Sequence, residues 1–152
     1  MAEKVNVASY DTDFFKWTQQ QAEALAAGKA SELDWANLAE EIESLGRRDW
    51  RALESRLDIL LMHLLKWIYQ PERRQTGRSW ASTIREQRLR IGRILRDSPS
   101  LRRQVPELLA TSYQNARLLG QDETGLSLET FPEACPWTAE QVLDETFWPD
   151  HG

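Results

Sequence analysis

The feature that most constrains this chain is an unbroken helical period from Asp34 to Tyr69. Apolar side chains return there every three or four residues without a change of phase, whereas a strand would alternate every second residue. Asp34 is placed to cap the start of this helix. The predicted core face consists of Leu38, Ile42, Leu45, Leu53, Leu57, Leu60, Leu64 and Ile68.

A single helix of that length raises a problem of size. From Trp35 to Tyr69 it would be about 50 Å long at about 1.5 Å per residue. A compact chain of this length has a radius of gyration of about 15 Å. Glycine weakens a helix, so we predict a break or a kink at Gly46.

Shorter helices precede and follow this segment. The same spacing predicts them over about residues 13–27, from 77 or 79 to 96, and over 99–120, with one more after Thr138. Asp11 or Thr12 would cap the first, and Gly28 would close it in the left-handed conformation. Pro106 would kink or restart the helix it lies in, and Thr138 with Gln141 would form a capping box. We therefore predict an all-α fold: an up-and-down bundle of four or five helices with an irregular, proline-rich C-terminal wrap.

The chain of 152 residues fits one domain. We assign residues 10–149 to a single helical domain, residues 1–9 to a flexible N-terminus, and residues 121–152 to an acidic wrap of the same domain. One cysteine excludes an internal disulfide, and the first residues lack the layout of a secretion signal. The longest apolar run is too short to span a bilayer. We expect a cytoplasmic protein that does not enter the membrane.

His63 and Cys135 are the side chains best suited to chemistry. A helical metal site would need a carboxylate or a second histidine where Leu60 and Trp67 stand. Cys135, in a proline-rich stretch, is more typical of a small buried hydrophobic residue. The glycines are too scattered for a phosphate-binding loop. The sequence thus predicts no catalytic residue, no metal site and no cofactor, and hence no enzyme.

Residues 66–103 form a basic segment. It contains eleven lysines and arginines and three carboxylates, a local net charge of +8, which is typical of nucleic-acid binding. Plotted at about 100° per residue, however, the arginines of the helix that begins near Ser79 cover its whole polar face instead of one stripe. Nucleic-acid binding through this segment is therefore the alternative to a protein-interaction function.

Leu89 departs from the pattern of its helix, because it lies among arginines and away from the core face. An apolar anchor rimmed by arginine is typical of protein interfaces. We predict a candidate partner contact that consists of Arg85, Leu89, Arg93 and Arg96. A contact inside the same chain is the other explanation.

Arginines also follow the long helix, where Pro71 ends it. Positive charge near the last carbonyls of a helix is favourable, so that a structural turn is the simpler interpretation. The alternative is an anion site in which Arg73, Arg74 and Arg78 act with the free N–H groups of the next helix.

Several short sequence motifs resemble those of a known family. They are EEIESLG (40–46), HLLKW (63–67), QPERR (70–74), SW..TI..QR (79–88), SPSL (98–101), ETGL (123–126) and TFPEACPWT (130–138). Together they are similar to the bacterial Domain of Unknown Function 29 family from about Tyr10 to Pro149. The resemblance implies a small helical protein and supplies no catalytic residues.

The preferred function is that of a cytoplasmic protein-interaction or regulatory module without catalysis. Its partner would be an unidentified protein or a second copy of the chain. The acidic wrap carries eight carboxylates and no lysine or arginine. We expect it to lie along the arginine-bearing helix face and to shield that face from polyanions. Its expected anchors are Phe131, Trp137, Phe147 and Trp148.

Overall fold

The computed structural model describes residues 10–75 and 79–150. Within these residues the chain forms α-helices and short 3₁₀ turns and no β-strand, which confirms the all-α class. The helices are α1 (Phe14–Ala26), α2 (Trp35–Tyr69), α3 (Trp80–Asp97), α4 (Val105–Thr124) and α5 (Ala139–Leu143). The predicted flexible N-terminus, residues 1–9, lies outside the described residues, as does Arg78.

The chain divides into two compact units, residues 1–48 and residues 49–152. We call them the N-terminal unit and the C-terminal unit. The single domain over residues 10–149 stays a prediction of the sequence.

α2 does not break at Gly46. It continues as one α-helix from Trp35 to Tyr69, so that the predicted break is wrong. The prediction assumed that one compact body must hold the whole helix. Residues 35–48 and 49–69 instead belong to different units, and the size of neither unit limits the length of α2.

In the N-terminal unit, α1 begins one residue later than the predicted caps allow. Asp13 is its N-cap, and its Oδ1 accepts a hydrogen bond from the backbone N–H of Lys16 at 3.1 Å, which corrects the assignment to Asp11 or Thr12. Gly28 ends the helix region with a φ of 68°, in the left-handed conformation that the sequence predicts.

Asp34 joins the two helices of this unit. Its Oδ2 accepts a hydrogen bond from the indole Nε1 of Trp17 at 3.0 Å. Its backbone N–H donates to Oε1 of Gln21 at 2.7 Å. Its carboxylate also accepts from Asn37 in the first turn of α2, which is the capping role predicted from the sequence.

The C-terminal unit contains the hydrophobic core. The second half of α2 supplies its centre, and α3 and α4 pack around it. The fully buried side chains include Leu53, Leu57, Leu60, Leu64, Ile84, Ile91, Tyr113 and Ala116. The predicted core face is therefore confirmed from Leu53 onward. It is wrong for Ile42 and Leu45, which are exposed.

The acidic wrap belongs to the C-terminal unit and closes its core. Phe131, Trp137 and Val142 are buried there, and the predicted capping box of Thr138 and Gln141 starts α5. α4 passes the predicted end at residue 120 and stops before Gly125. Gly120 packs against the ring of Phe131, which a Cβ at position 120 would meet at 3.4 Å.

Candidate interaction surfaces

One face of α2 in the N-terminal unit is apolar and open. Trp35, Ile42 and Leu45 lie on it and are 65%, 66% and 51% exposed. Residues separated by three, four and seven positions share one side of a helix, so these side chains form a row with the half-buried Leu38. We call Trp35, Leu38, Ile42 and Leu45 the α2 stripe. Apolar surface of this kind marks contact sites in folded proteins.

Hydrogen bonds from Tyr10 and Trp17 reach α2 and its N-cap outside the α2 stripe. The hydroxyl of Tyr10 donates to Glu41, and the indole of Trp17 donates to Asp34. Among the described residues 10–48, the buried side chains are Trp17, Gln21 and Ala24 of α1. Residues 35–48, all of which the structure describes, contribute no buried side chain.

The surroundings of the α2 stripe are acidic. Residues 29–48 carry five carboxylates, one lysine and two arginines, a net charge of −2. The hydrogen bond to Glu41 raises the pKa of Tyr10 to about 12, so its hydroxyl remains a donor at neutral pH. Hydrogen bonds from Asn37 and Trp17 lower the pKa of Asp34, which is therefore ionised. A partner suited to this surface has an apolar centre and positive charges around it.

The predicted partner contact forms the outer face of α3. Leu89 is 47% exposed, and Arg93 and Arg96 are exposed beside it. The guanidinium of Arg85 lies 5.4 Å from the ring centre of Trp148. We call Arg85, Leu89, Arg93 and Arg96 the α3 outer face. A contact inside the chain would have buried Leu89, so its exposure favours the partner hypothesis, which stays a prediction.

Arg88 differs from the other arginines of α3, because it is only 3% exposed. Its Nε donates to the carbonyl of Val142 at 2.8 Å, and its guanidinium lies 5.7 Å from the ring centre of Trp148. Burial lowers the pKa of Arg88, and the nearby carboxylates of Asp144 and Glu145 oppose that effect. The wrap is thus held against α3 through Arg85 and Arg88. Sequence reasoning grouped Arg88 with the polar face and missed this contact.

Arg74, one of the three residues of the predicted anion site, makes contacts inside the chain. Nε of Arg74 donates to the carbonyl of Trp67 at 2.6 Å, and the guanidinium stacks over the Trp67 ring at 4.6 Å. Arg73 is exposed, and Arg78 lies outside the described residues. The hydroxyl of Ser79 accepts from Ser82 and caps the start of α3. Arg74 therefore has the structural role that the interpretation of this segment as a turn predicts.

His63 and Cys135 are both held in structural contacts. Nδ1 of His63 lies 2.8 Å from the carbonyl of Ile59, and burial lowers its pKa. The thiol of Cys135 donates to the carbonyl of Trp137 at 3.4 Å, and burial raises its pKa, which keeps it protonated at neutral pH. The part of the chain that the structure describes holds no group of three histidine, cysteine or carboxylate side chains able to bind a metal ion.

None of the described helices has both the length and the apolar character that crossing a bilayer requires. The helices, their caps and the two open surfaces define a small all-α protein of two compact units. The chain belongs to the family of the domain of unknown function DUF29, whose model matches residues 9–148. No curated protein and no solved structure matches the chain.

Proposed function

We propose that this protein is a bacterial, cytoplasmic protein-interaction module without catalysis, and that the α2 stripe is its main contact surface. The observation that carries the proposal is the exposure of Trp35, Ile42 and Leu45 on one helix face. Interfaces are enriched in tryptophan and other large apolar side chains at their centres.

The physical support is the free energy of apolar burial, which the exposed side chains of the α2 stripe do not contribute to folding. Burying one large apolar side chain stabilises a structure by about 1.5–3 kcal/mol. Two helices with a short connection cannot cover all their apolar side chains, and Phe15 and Leu25 of α1 are also exposed, at 71% and 54%. A partner that covers the α2 stripe would recover part of this free energy.

The side chains that could support catalysis favour the same proposal. His63 is bonded to a backbone carbonyl, and Cys135 is kept protonated by burial. They are held by separate backbone carbonyls, Ile59 and Trp137. A nucleophile needs a base within hydrogen-bond reach, and neither residue makes that contact with the other.

The test is a photo-reactive amino acid placed at position 42 in the protein's own cells. Position 118 is the control, because Leu118 of α4 is also exposed, at 53%. We expect a discrete cross-linked product from position 42 and not from position 118. Adding Leu45→Asp should remove the product, because a charge there opposes burial of the face. The proposal fails if position 42 gives no more product than position 118.

Nucleic-acid binding through residues 66–103 is a second candidate. It is supported by the exposure of Arg93, Arg96, Arg102 and Arg103. Trp148 of the acidic wrap lies against Arg85 and Arg88, so that the wrap covers one part of the arginine-bearing face, whereas Arg93 and Arg96 are exposed.

Shielding can be tested with Trp148→Ala, which should loosen the wrap. We expect this variant to bind duplex DNA at low salt and to release it as salt rises, and the unmodified protein not to bind. Trp35→Ala is the matched control, because Trp35 is exposed in the other unit. If the unmodified protein binds DNA equally well, shielding is wrong and nucleic-acid binding becomes the preferred function.

A further inference from the structure

Gly46 of α2 and Gly92 of α3 have no packing role inside the chain. Among the described residues, no atom lies within 4 Å of the point where a Cβ would stand at either position, beyond the local helix backbone and chain neighbours. Glycine destabilises the interior of a helix relative to alanine, and neither residue has a positive φ that would require glycine. Their local surroundings therefore leave both glycines unexplained.

Both glycines lie beside exposed apolar side chains. Gly46 follows Leu45 and is one turn from Ile42, and Gly92 is one turn from Leu89. A helical glycine lets a second helix approach closely, because it leaves a gap that a neighbouring side chain can fill. Each of the two open surfaces thus combines an apolar knob with an adjacent gap.

The two surfaces carry opposite charges. Residues 29–48 contain five carboxylates and three basic residues, a net charge of −2, whereas residues 85–96 of α3 contain four exposed arginines and one glutamate, a net charge of +3 without the buried Arg88. Pairing either surface with an identical one would bring like charges together, which disfavours a contact between two copies of the same face. Pairing one with the other brings opposite charges together.

We propose that two copies of this protein bind head to tail, with the α3 outer face of one copy on the α2 stripe of the other. The proposal rests on the interaction function proposed above and names its partner as a second copy of the chain. Leu89 of one copy fits beside Gly46 of the next, and Ile42 and Leu45 fit beside Gly92. Because the two faces differ, association continues from copy to copy or closes into a ring.

The test is a mixing experiment with two single variants, followed by sedimentation over a range of concentrations. Ile42→Asp places a charge on the α2 stripe and leaves the α3 outer face unchanged. Leu89→Asp places a charge on the α3 outer face and leaves the α2 stripe unchanged. We expect each variant alone to raise the dissociation constant of self-association by more than about tenfold. An equal mixture should form a complex of two chains, because it retains one intact pair of faces. The unmodified protein should associate more weakly as salt rises.

Leu118→Asp is the control, since it places the same charge at another exposed leucine and should associate like the unmodified protein. Circular dichroism checks that each variant is folded. If Ile42→Asp or Leu89→Asp unfolds, variants with reversed charges at exposed positions take their place. One chain then carries Glu40→Lys with Glu43→Lys, and the other carries Arg93→Glu with Arg96→Glu. We expect each pair to weaken association alone and the mixture of the two to restore it.

Two results would overturn head-to-tail binding. One is an unmodified protein that stays monomeric at every concentration. The other is an associating protein in which only one of the two single variants loses association, which would show a contact between identical faces, or whose mixed variants remain monomeric. If the purified protein is monomeric while position 42 cross-links to a different protein in cells, self-binding is wrong and the interaction function stands. If position 42 gives no product either, both proposals fail.

Discussion

The two halves of α2 have the same apolar period and opposite environments. Ile42 in the N-terminal unit is 66% exposed, whereas Leu57 and Leu60 in the C-terminal unit are fully buried. The buried half is covered by residues far away in sequence, such as Tyr113 of α4 and Phe131 of the wrap. The comparison shows that periodicity identifies the apolar face of a helix but not whether anything covers it.

The largest expected effect is a difference in stability between equivalent positions of the two halves. Leu60→Ala should lower the free energy of unfolding by about 2–5 kcal/mol, because it opens a cavity in a closed core. Ile42→Ala should change it by less than about 0.5 kcal/mol in the monomer. Urea denaturation at low protein concentration measures both values. Equal losses would mean that the α2 stripe is covered within the chain.

A smaller effect is expected at the junction of α1 and α2. Asp34→Ala removes an N-cap and the acceptor of the Trp17 indole, which should cost the N-terminal unit about 1–2 kcal/mol. Hydrogen exchange of the amides of α1 reports this loss. Glu23→Ala, at an exposed position of α1, is the control and should leave exchange unchanged. Faster exchange throughout the C-terminal unit would show that the loss is not confined to the N-terminal unit.

Asp34 also predicts how the N-terminal unit responds to acid. Its pKa is lowered in the folded chain, first by Asn37, so the unfolded chain binds the proton more readily. Its contribution to stability is complete above the ordinary pKa of about 3.9 and is lost as the pH falls through the lowered value. The indole N–H resonance of Trp17 should shift over that range. Asp34→Asn should remove the transition, and an unchanged transition would assign it to another group.

The smallest expected effect is at the boundary between the halves. Gly46→Ala should raise the free energy of unfolding of the monomer by about 0.5–1 kcal/mol, because alanine favours the helix and meets open space. Gly125→Ala is the opposite case, because Gly125 ends α4 with a φ of 73°. This substitution should lower the free energy of unfolding. Thermal unfolding at low concentration compares the two. A loss at Gly46 would mean that glycine is needed there within the monomer.

Features of the fold with a local cause could be predicted from the sequence. Ser79 caps α3, Gly28 adopts a left-handed conformation, and Thr138 with Gln141 forms a capping box, as their residue types indicate. The predicted break at Gly46 and the predicted helix end at Gly120 are wrong. A glycine in a helix has the same local signal whether it breaks the helix or allows a neighbouring side chain to pack closely. At Gly120 the neighbour is Phe131, eleven residues later.

The candidate surfaces were predictable only in part. The arginine rim around Leu89 is visible in the sequence, and the structure leaves Leu89 exposed. The burial of Arg88 depends on Val142 and Trp148, more than fifty residues away, and no local pattern indicates it. The exposure of Ile42 is equally non-local, because it depends on which elements pack against α2.

The closing of the C-terminal core by Val142 has a consequence for synthesis on the ribosome. A chain leaves the ribosome from its N-terminus at about 5–20 residues per second. The leucines of α2 appear long before Tyr113, Phe131 and Val142, which complete their surroundings. For several seconds the nascent chain therefore presents a long apolar helix with no finished core, a state in which chaperones bind and aggregation begins. Because Phe131 and Val142 are made after the leucines of α2, the yield of folded protein depends on how soon these later residues pack onto the core.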